Sequence, residues 1–585
     1  MYTPADFFEI NQNFQRINSL LQRLFIAFGR REYRDPSVEG PGAPFYLRAL
    51  LGQATGMLTN PFQAINMQMQ LVSTSTALAA DLYQNMLTGG VSTQKQLDVH
   101  ATDVQLRRHP FFIALQHQHR LISEWLDGTV DSAVHKDDRA LEQVRFFAGQ
   151  LKALLAPDNF LATNPEALNK MVQTNGKSIV DGLENLVEDM ERADGDVLVA
   201  LADPKGFEVG QDLATTPGHV VLETSLFQLI RYSATTEKTY SRPLLIAPPW
   251  INKFYILDLQ RKNSMIAWLV DQGFSVYVIS WRNPDTTMQD IGFDDYVLNG
   301  VVKAIDAVCE LTDEETINVV GYCIGGTATA CAAAWLAKQD RPSPIRSITF
   351  FTALVDFSDP GVAKVFMDES FMGGLIHEIG RKGMMDKRIL ARSFSYMRPS
   401  DLVYGPAINS YLLGEKRPKF DLLFWNGDST NLPARMAREY LIRLFRDNEL
   451  VNDKFDVAGT PVSLKDISVA HYVVAAEKDH IVPWEASFSG LERLRGQGRF
   501  VLAQSGHVAG VVNHPAKHKY GYWINEDRPK DMVEWRKGST AYDGSWWEDW
   551  SAWLGRRSGR KVVVENSWPT GHNQLEPAPG RYVKA

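Results

Sequence analysis

The chain has 585 residues and a formal net charge of -8 at pH 7, with 44% hydrophobic and 22% charged residues. This composition is that of an ordinary folded protein and excludes a disordered chain. The length exceeds the ~250 to 300 residues at which a single hydrophobic core stops growing, so we expect more than one domain. The net negative charge argues against binding to nucleic acid, which requires clustered positive charge, and we predict no nucleic-acid partner.

The chain contains three cysteines, Cys309, Cys323 and Cys331. A small, odd number in a long chain argues against a disulfide framework and favours a reducing, cytoplasmic location. The first residues lack the basic leader and plain apolar core of a signal peptide. No run approaches the ~18 uninterrupted apolar residues of a membrane span. We therefore expect contact with any apolar phase to be peripheral.

Residues 1–195 are predicted to form a mostly helical N-terminal domain. Apolar residues recur every three or four places at the start of the chain: Phe7, Ile10, Phe14, Ile17, Leu21, Leu24 and Phe28. That spacing predicts an amphipathic helix. Its apolar stripe is typical of a face packed on the rest of the protein or on a second subunit, and an adhesive face for an apolar surface is the alternative.

Two possible binding sites in this region, one for a metal and one for phosphate, are rejected. His117 and His119 lie two residues apart on a predicted helix and so point to different faces, which makes them poor joint metal ligands. Gly176-Lys177-Ser178 resembles the end of a phosphate-binding loop, but Met171 stands where the first glycine of that loop is required. We predict no metal site.

From about residue 207 the pattern changes to short β-branched runs that alternate with helical segments, and we assign residues 196–585 to an α/β catalytic domain. The predicted strands cover 243–250, 274–281, 316–321, 345–351, 467–477 and 499–504. Strands that alternate with helices imply a mostly parallel sheet with right-handed crossovers. An insertion at about 355–455, rich in methionine and aromatic residues, falls where a cap over the active face would sit. A helical subdomain with its own core is the other interpretation.

The stretch "INVVGYCIGGT" (317–327) predicts a strand, a sharp turn and a helix, with Cys323 at the turn. Small residues on both sides permit the strained turn that projects a nucleophile from a sheet's carboxyl edge. The helix behind it directs N-H groups and the positive end of its dipole at the sulfur, which favours a thiolate. A small buried residue is the alternative for Cys323. For Cys309 and Cys331, inside apolar helical patterns, we predict core packing.

A thiol nucleophile needs a base, and in this architecture an acid and then a histidine follow it in chain order. Asp479 comes just after a predicted strand and His507 follows the last one, so both are expected near Cys323 at the sheet's carboxyl edge. A turn-forming aspartate and a surface histidine are the alternatives. His480 is a rival base, but it follows Asp479 directly and is poorly placed to be oriented by it.

Backbone N-H groups are expected to hold the oxyanion of the tetrahedral intermediate. One donor would be Ile324, the residue after the nucleophile, and the second would come from the loop after the first predicted strand. Pro248 and Pro249 carry no N-H, so the second donor is predicted at Trp250 or Ile251.

Sulfur at the turn suits acyl transfer from a thioester. A thiolate that attacks a thioester exchanges one thioester for another at nearly equal free energy, so the acyl group stays activated on the enzyme. Such an acyl-enzyme can pass its cargo to a hydroxyl if water is kept out. Some hydrolases also use cysteine, so this argument alone leaves both reaction types open.

Several segments together resemble the polyhydroxyalkanoate synthases, most closely the class I enzymes that act on short-chain 3-hydroxyacyl-CoA. The matching segments are "NFLATNPEAL" (159–168), "APPWINKFYILDLQ" (247–260), "VISWRNPD" (278–285), "GYCIGGT" (321–327), "FDLLFWNGDSTNLP" (420–433), "DHIVPW" (479–484) and "GHVAGVVN" (506–513). The likeness runs from about residue 105 to the C-terminus. Residues 1 to about 100 match weakly, and a granule-binding or dimerising role is expected for them by analogy with the family.

The resemblance implies an α/β-hydrolase fold with a large cap. It implies that Cys323 holds the growing chain, that His507 activates its thiol, and that Asp479 orients His507 or assists deprotonation of the incoming 3-hydroxyl. Trp425 matches a family position associated with subunit contact or access, with a core aromatic as the alternative.

By the same resemblance we expect an acyltransferase that polymerises (R)-3-hydroxyacyl-CoA, for example 3-hydroxybutyryl-CoA, into polyhydroxyalkanoate and releases CoA. It would work as a cytoplasmic homodimer at the surface of polyester granules, without a cofactor beyond its CoA thioester substrate. The alternatives are a cysteine hydrolase of the dienelactone hydrolase or thioesterase type and a noncatalytic granule scaffold. A plain hydrolase of this fold needs roughly 250 residues, which leaves the helical domain and the cap unexplained.

Overall fold

The computed structural model describes residues 4–31, 69, 72–74, 76, 109–132, 138–367, 369–564 and 575–585. The chain divides into two compact units, Met1–Asp203 with Ala391–Pro418, and Pro204–Leu390 with Lys419–Ala585. The domain ranges 1–195, 196–585 and 355–455 stay predictions, and the two units do not follow them residue for residue. Much of residues 1–100, to which we assigned a dimer or granule role, lies outside the described residues.

The first unit is helical, as predicted for the start of the chain. The helices before residue 203 whose bounds lie in the described residues are α1 Pro4–Gly29, α2 Pro110–Ser132, α3 Asp138–Leu154, α4 Pro165–Gln173 and α5 Lys177–Arg192. Helix α4 begins where the Asn164 side chain accepts hydrogen bonds from the backbone N-H groups of Glu166 and Ala167, which satisfies two of the free donors at a helix start. No helix in the described part of the chain is long and apolar enough to cross a membrane.

Helix α1 uses its apolar residues on two sides. Leu20 is buried against Val180 and Val187 of α5, with Ile17 and Leu24 packed beside them. Large apolar side chains are also exposed, five of them on a neighbouring face, Ile10, Phe14, Leu21, Phe25 and Phe28, and two away from it, Phe8 and Ile26. The predicted stripe is therefore split between a packed face and an exposed apolar face, because apolar residues occupy more of the helix than one contact covers. The side chain of Phe7 lies outside the described residues.

The second unit is built on a large sheet. Its strands and those of the small ribbons are β1 Gly218–Glu223, β2 Phe227–Tyr232, β3 Lys238–Tyr240, β4 Leu244–Ala247, β5 Val276–Trp281, β6 Ile317–Tyr322, β7 Ile345–Phe351, β8 Met384–Met385, β9 Leu432–Pro433, β10 Asp456–Val457, β11 Thr460–Pro461, β12 Ala470–Ala476, β13 Gly498–Ala503, β14 Gly521–Ile524, β15 Thr540–Asp543, β16 Lys561–Val563 and β17 Glu576–Pro577. The large sheet has the order β15-β14-β13-β12-β7-β6-β4-β5-β2-β1-β17.

The middle of this sheet is parallel. Strands β13, β12, β7, β6, β4 and β5 pair in parallel, whereas the strands outside them pair antiparallel. The predicted, mostly parallel sheet is confirmed for all six strands that the sequence indicated. Every residue of β4, β5 and β6 is buried, as expected for strands covered by helices on both faces.

Helices flank the sheet and fill the insertion. Those before the insertion are α6 Met265–Asp271, α7 Phe293–Asp295, α8 Lys303–Thr312 and α9 Ile324–Leu336. Those between residues 355 and 455 are α10 Glu369–Lys382, α11 Lys387–Met397, α12 Gly405–Ala407, α13 Asp421–Asn426 and α14 Ala434–Glu439. The last are α15 Trp484–Leu491, α16 Met532–Lys537 and α17 Trp547–Gly555. A π-helical segment, Tyr296–Val302, joins α7 to α8.

Three glycines let α9 start against the end of β6. A Cβ at Gly325 would lie 2.3 Å from the carbonyl oxygen of Ala247 at the end of β4. A Cβ at Gly326 would lie 2.4 Å from the Cβ of Ala353, and one at Gly321 would lie 2.5 Å from the Gly326 Cα. Real Cβ atoms do not approach this closely, so only glycine allows this packing.

We predict that Gly325→Ala lowers the free energy of unfolding by about 1–3 kcal/mol, because the added methyl meets backbone that cannot move away. Gly380→Ala is the matched control, since Gly380 also lies in a helix but has nothing within 4 Å of its ideal Cβ. Alanine there should be neutral or stabilising by about 0.5–1 kcal/mol. Urea midpoints that fall equally for both variants would contradict the packing argument.

Candidate active site

Cys323 occupies the sharp turn between β6 and α9. Its backbone has φ 53° and ψ -126°, a left-handed region that a residue with a Cβ rarely adopts. The surrounding chain holds this conformation: the Cys323 N-H donates to Phe351 O at 2.9 Å, and the Gly326 N-H donates to Cys323 O at 2.8 Å. The turn therefore places the thiol at the carboxyl end of the parallel strands.

His507 and Asp479 lie beyond the carboxyl ends of β13 and β12 and contact each other. The His507 Nδ1 lies 2.7 Å from the Asp479 Oδ2. The other carboxylate oxygen of Asp479 accepts the backbone N-H groups of Ile481 at 2.9 Å and Val482 at 2.8 Å. Both side chains are buried. The carboxylate is thus fixed by the backbone on one side and orients the imidazole with the other.

Cys323 also interacts with His507, and this interaction raises the pKa of the imidazole. Since Nδ1 faces Asp479, the other ring nitrogen, Nε2, is the one left for the thiol. The ring of Tyr322 stacks on the imidazole with centroids 6.0 Å apart. The structure therefore brings together the three side chains that the sequence predicted, in the order thiol, imidazole, carboxylate.

The charge environment of His507 favours its protonated form. Burial lowers the pKa of His507, but the negative charge and hydrogen bond of Asp479 raise it, and Cys323 raises it further, so the net pKa is raised to about 10. An imidazolium beside a thiol stabilises the thiolate, which is the reactive form of cysteine. The raised pKa makes the His507 imidazole a strong proton acceptor at this site.

The proposed oxyanion donors lie close to the turn. An ideal Cβ on Gly325 would lie 2.7 Å from Pro248 O, which shows how closely the loop after β4 approaches the start of α9. Within the described residues, the backbone N-H groups of Ile324, Trp250 and Ile251 donate to no other group. These N-H groups are free to receive an anion, and which of them does so stays a prediction.

The two supporting candidates have different surroundings. His480 is half-buried, and the carboxylate of Asp479 is directed at His507 instead. Trp425 is 4% exposed, and its indole N-H donates to Lys253 O at 2.7 Å. Within a single chain Trp425 thus packs as a core aromatic residue, which was the alternative interpretation.

Tyr440 is a residue near the thiol that the sequence analysis did not identify. Burial raises the pKa of Tyr440, and the negative charge of Cys323 raises it further. Its ring packs with Phe293 at 6.2 Å, Phe357 at 6.1 Å and Phe445 at 5.0 Å between centroids. The only signal in the sequence was the aromatic content of the insertion, which does not single out one residue.

The raised pKa of His507 predicts a pH-dependent contribution to stability. A group with a folded-state pKa of about 10 and an ordinary value of 6.5 stabilises the fold fully below about pH 6.5, and this contribution is lost as pH rises towards 10. The difference in unfolding free energy between the unmodified chain and His507→Gln should therefore shrink from pH 6 to pH 10. His514→Gln is the matched control, because burial lowers the pKa of His514. A difference that grows with pH would contradict this assignment.

Two family models match the chain. The N-terminal region of poly-beta-hydroxybutyrate polymerase matches residues 98–269, and the alpha/beta hydrolase fold matches residues 243–513. The second match agrees with the parallel sheet and the turn at Cys323.

Several curated proteins are similar over most of their length. The poly(3-hydroxyalkanoate) polymerase subunit PhaC of Cupriavidus necator is 41% identical over 77% of this chain and 77% of its own length. The corresponding protein of Rhizobium etli is 37% identical over 83% of this chain and 76% of its own. The poly(3-hydroxyalkanoate) polymerase of Methylorubrum extorquens is 35% identical over 92% and 89%. The chain therefore belongs to the poly(3-hydroxyalkanoate) polymerases, an acyltransferase family, and carries the α/β-hydrolase fold.

Proposed function

We propose that this polymerase joins short-chain (R)-3-hydroxyacyl groups, such as 3-hydroxybutyryl, from their CoA thioesters and holds the growing chain on Cys323. The observation that carries the proposal is the group formed by Cys323, at the turn after β6, with His507, whose pKa it raises, and Asp479, which is hydrogen-bonded to His507. The reaction needs no cofactor and no metal in this proposal, because the thioester substrate supplies the activated acyl group.

In the first step His507 takes the thiol proton and the Cys323 sulfur attacks the thioester carbonyl carbon. The carbonyl oxygen becomes an oxyanion, which the N-H groups of Ile324 and of Trp250 or Ile251 stabilise. The intermediate then collapses, the bond to the CoA sulfur breaks, and His507 returns its proton to the departing thiolate. The products are free CoA and an acyl thioester on Cys323.

In the second step the 3-hydroxyl of another acyl-CoA attacks the Cys323 thioester. His507, oriented by Asp479, accepts the hydroxyl proton, an ester bond forms, and the proton returns to the Cys323 sulfur as it leaves. Direct help from Asp479 in deprotonating the hydroxyl is the alternative role. The lengthened chain, now on CoA, returns to Cys323 by the first step.

The surroundings of the thiol support transfer to an alcohol over hydrolysis. The rings packed around Tyr440 are apolar, and all four members of that group, Phe293, Phe357, Tyr440 and Phe445, lie in the second unit with Cys323. A site with few polar groups holds water poorly, so an acyl thioester formed there lives long enough to meet a hydroxyl.

We further propose that the polymerase works as a homodimer on polyester granules in the cytoplasm. The exposed apolar side of α1, which includes Phe14, Phe25 and Phe28, supports peripheral binding to an apolar polymer surface. Large exposed apolar surfaces usually mark sites of interaction, and the product is itself apolar.

Turnover with 3-hydroxybutyryl-CoA tests the reaction. Free thiol should appear in step with polymer, and Cys323→Ala should lower turnover by ~10⁴-fold or more while folding is kept. Cys309→Ala is the matched control and should leave turnover unchanged, because burial and Asp306 raise the pKa of Cys309 to about 11 and make it a poor nucleophile. Soluble 3-hydroxybutyrate as the sole product would favour a hydrolase, and full turnover by Cys323→Ala would favour a scaffold.

The granule proposal is tested with Phe14→Ser/Phe25→Ser. Both side chains are exposed, so the fold should be kept while the fraction of protein that sediments with isolated granules falls. Val533→Ser, at an equally exposed apolar position on α16, is the control and should bind granules normally. A variant that loses its dimer in size-exclusion chromatography but keeps granule binding would assign this side of α1 to a second subunit.

A further inference from the structure

A short segment of the predicted cap lies along the loop that carries the second oxyanion donor. The backbone of Ser429 forms an antiparallel bridge with Asn252, and the Asn252 side-chain amide donates to the Ser429 hydroxyl at 3.2 Å. The Thr430 N-H donates to Ile251 O at 3.0 Å, and the Thr430 hydroxyl donates to Trp250 O. We call residues 425–430 the clamp segment and residues 250–255 the donor loop.

Asp428 contacts the other end of the donor loop through an ion pair and a hydrogen bond. One of its carboxylate oxygens lies 3.0 Å from the Lys253 ammonium group, and the other accepts a hydrogen bond from the Tyr255 hydroxyl at 2.9 Å. The Lys253 side chain is 10% exposed and that of Asp428 is 26% exposed. An ion pair this sheltered from water is screened less than one on the surface, so it restrains the loop more strongly.

Because the peptide bond is planar, the contacts of the clamp segment also fix the direction of one N-H group in the donor loop. The carbonyl of Trp250 and the N-H of Ile251 belong to the same trans peptide and therefore point in opposite directions. Because the buried Thr430 hydroxyl holds the Trp250 carbonyl on the clamp side, the Ile251 N-H is directed away from the clamp segment. That N-H donates to no other group in the described part of the chain.

We propose that Thr430 is a positioning residue that fixes the Ile251 N-H as the second oxyanion donor, and that Asp428 holds the donor loop in the same orientation. This inference rests on the proposed function, since it needs acylation of Cys323 through a tetrahedral intermediate. The inference identifies Ile251, not Trp250, as the second oxyanion donor, and it means that the clamp segment contributes to the chemical step. A donor fixed before the reaction stabilises the developing charge without the cost of reorienting it.

The test compares two reactions of the Cys323 thiol. Acylation by 3-hydroxybutyryl-CoA passes through an oxyanion, whereas alkylation by iodoacetamide displaces iodide at a saturated carbon and forms none. Thr430→Val keeps the shape of the side chain but removes the hydroxyl, and Thr430→Ser keeps the hydroxyl. A residue that only supports the fold would change both reactions together.

We expect Thr430→Val to slow acylation by ~10- to 100-fold, somewhat less than the ~10²- to 10³-fold loss from deleting an oxyanion donor. The loss should appear in kcat with KM unchanged, alkylation should proceed at the normal rate, and Thr430→Ser should restore acylation. Normal acylation by Thr430→Val, or an equal fall in both reactions, would overturn the proposal. If the unmodified enzyme takes no acyl group on Cys323, the proposed function fails instead.

Asp428→Asn is the second variant and should also slow acylation selectively. The asparagine amide has one accepting oxygen and one donating NH2 group, so it cannot accept hydrogen bonds from Lys253 and Tyr255 with separate oxygens. The chain offers a matched control in Asp549, which accepts from the Tyr472 hydroxyl at 2.8 Å and pairs with Arg499 at 2.8 Å. Asp549→Asn breaks the same kind of contact elsewhere and should leave the ratio of the two rates unchanged. An equal change of that ratio in both variants would overturn the role of Asp428.

Discussion

The structure depends on one strained backbone conformation, the positive φ of Cys323 between β6 and α9. Such a conformation costs of order 1–3 kcal/mol and persists only where the surroundings determine it. Here the cost is offset by the packing of α9 against the ends of β4 and β7, which Gly325 and Gly326 allow. The same packing brings the loop after β4 close to the start of α9. The strained backbone at Cys323, which is unfavourable for folding, is therefore also the feature that forms the candidate site.

The electrostatics of the site follow from this placement. His507 is buried, and burial alone would make its imidazole neutral. The carboxylate of Asp479 reverses that tendency, and Asp479 is itself held by two backbone N-H groups that do not depend on the substrate. The pair can therefore accept a proton from a thiol or from a hydroxyl without rearranging, and each half of the proposed reaction requires one of these transfers.

The parts of the fold that the sequence predicted are those with a local physical signal. Strands β4 to β7 are buried on both faces, so they are continuous apolar runs that stand out from the helices between them. Cys323, Asp479 and His507 could be identified because each follows such a strand, and parallel strands end at one edge. The roles of these residues and the domain ranges remain predictions.

Other features have no such signal. The hairpin β1–β2 and the π-helical segment Tyr296–Val302 depend on tertiary packing. A Cβ at Gly300, for example, would lie 2.7 Å from the Trp281 ring. The contact of Thr430 with Trp250 joins residues far apart in the chain, and neither residue type indicates it. The split use of α1 could not be read from spacing alone, since its apolar residues fit two faces of the helix.

The central claim is a covalent acyl thioester on one sulfur atom. The most direct test is peptide mass spectrometry of enzyme quenched in acid during turnover of 3-hydroxybutyryl-CoA. The account predicts 3-hydroxybutyryl groups, single or linked, on the peptide that contains Cys323 and on no other cysteine. An acyl group found on Cys309 or Cys331, or steady release of CoA with Cys323 never modified, would contradict it.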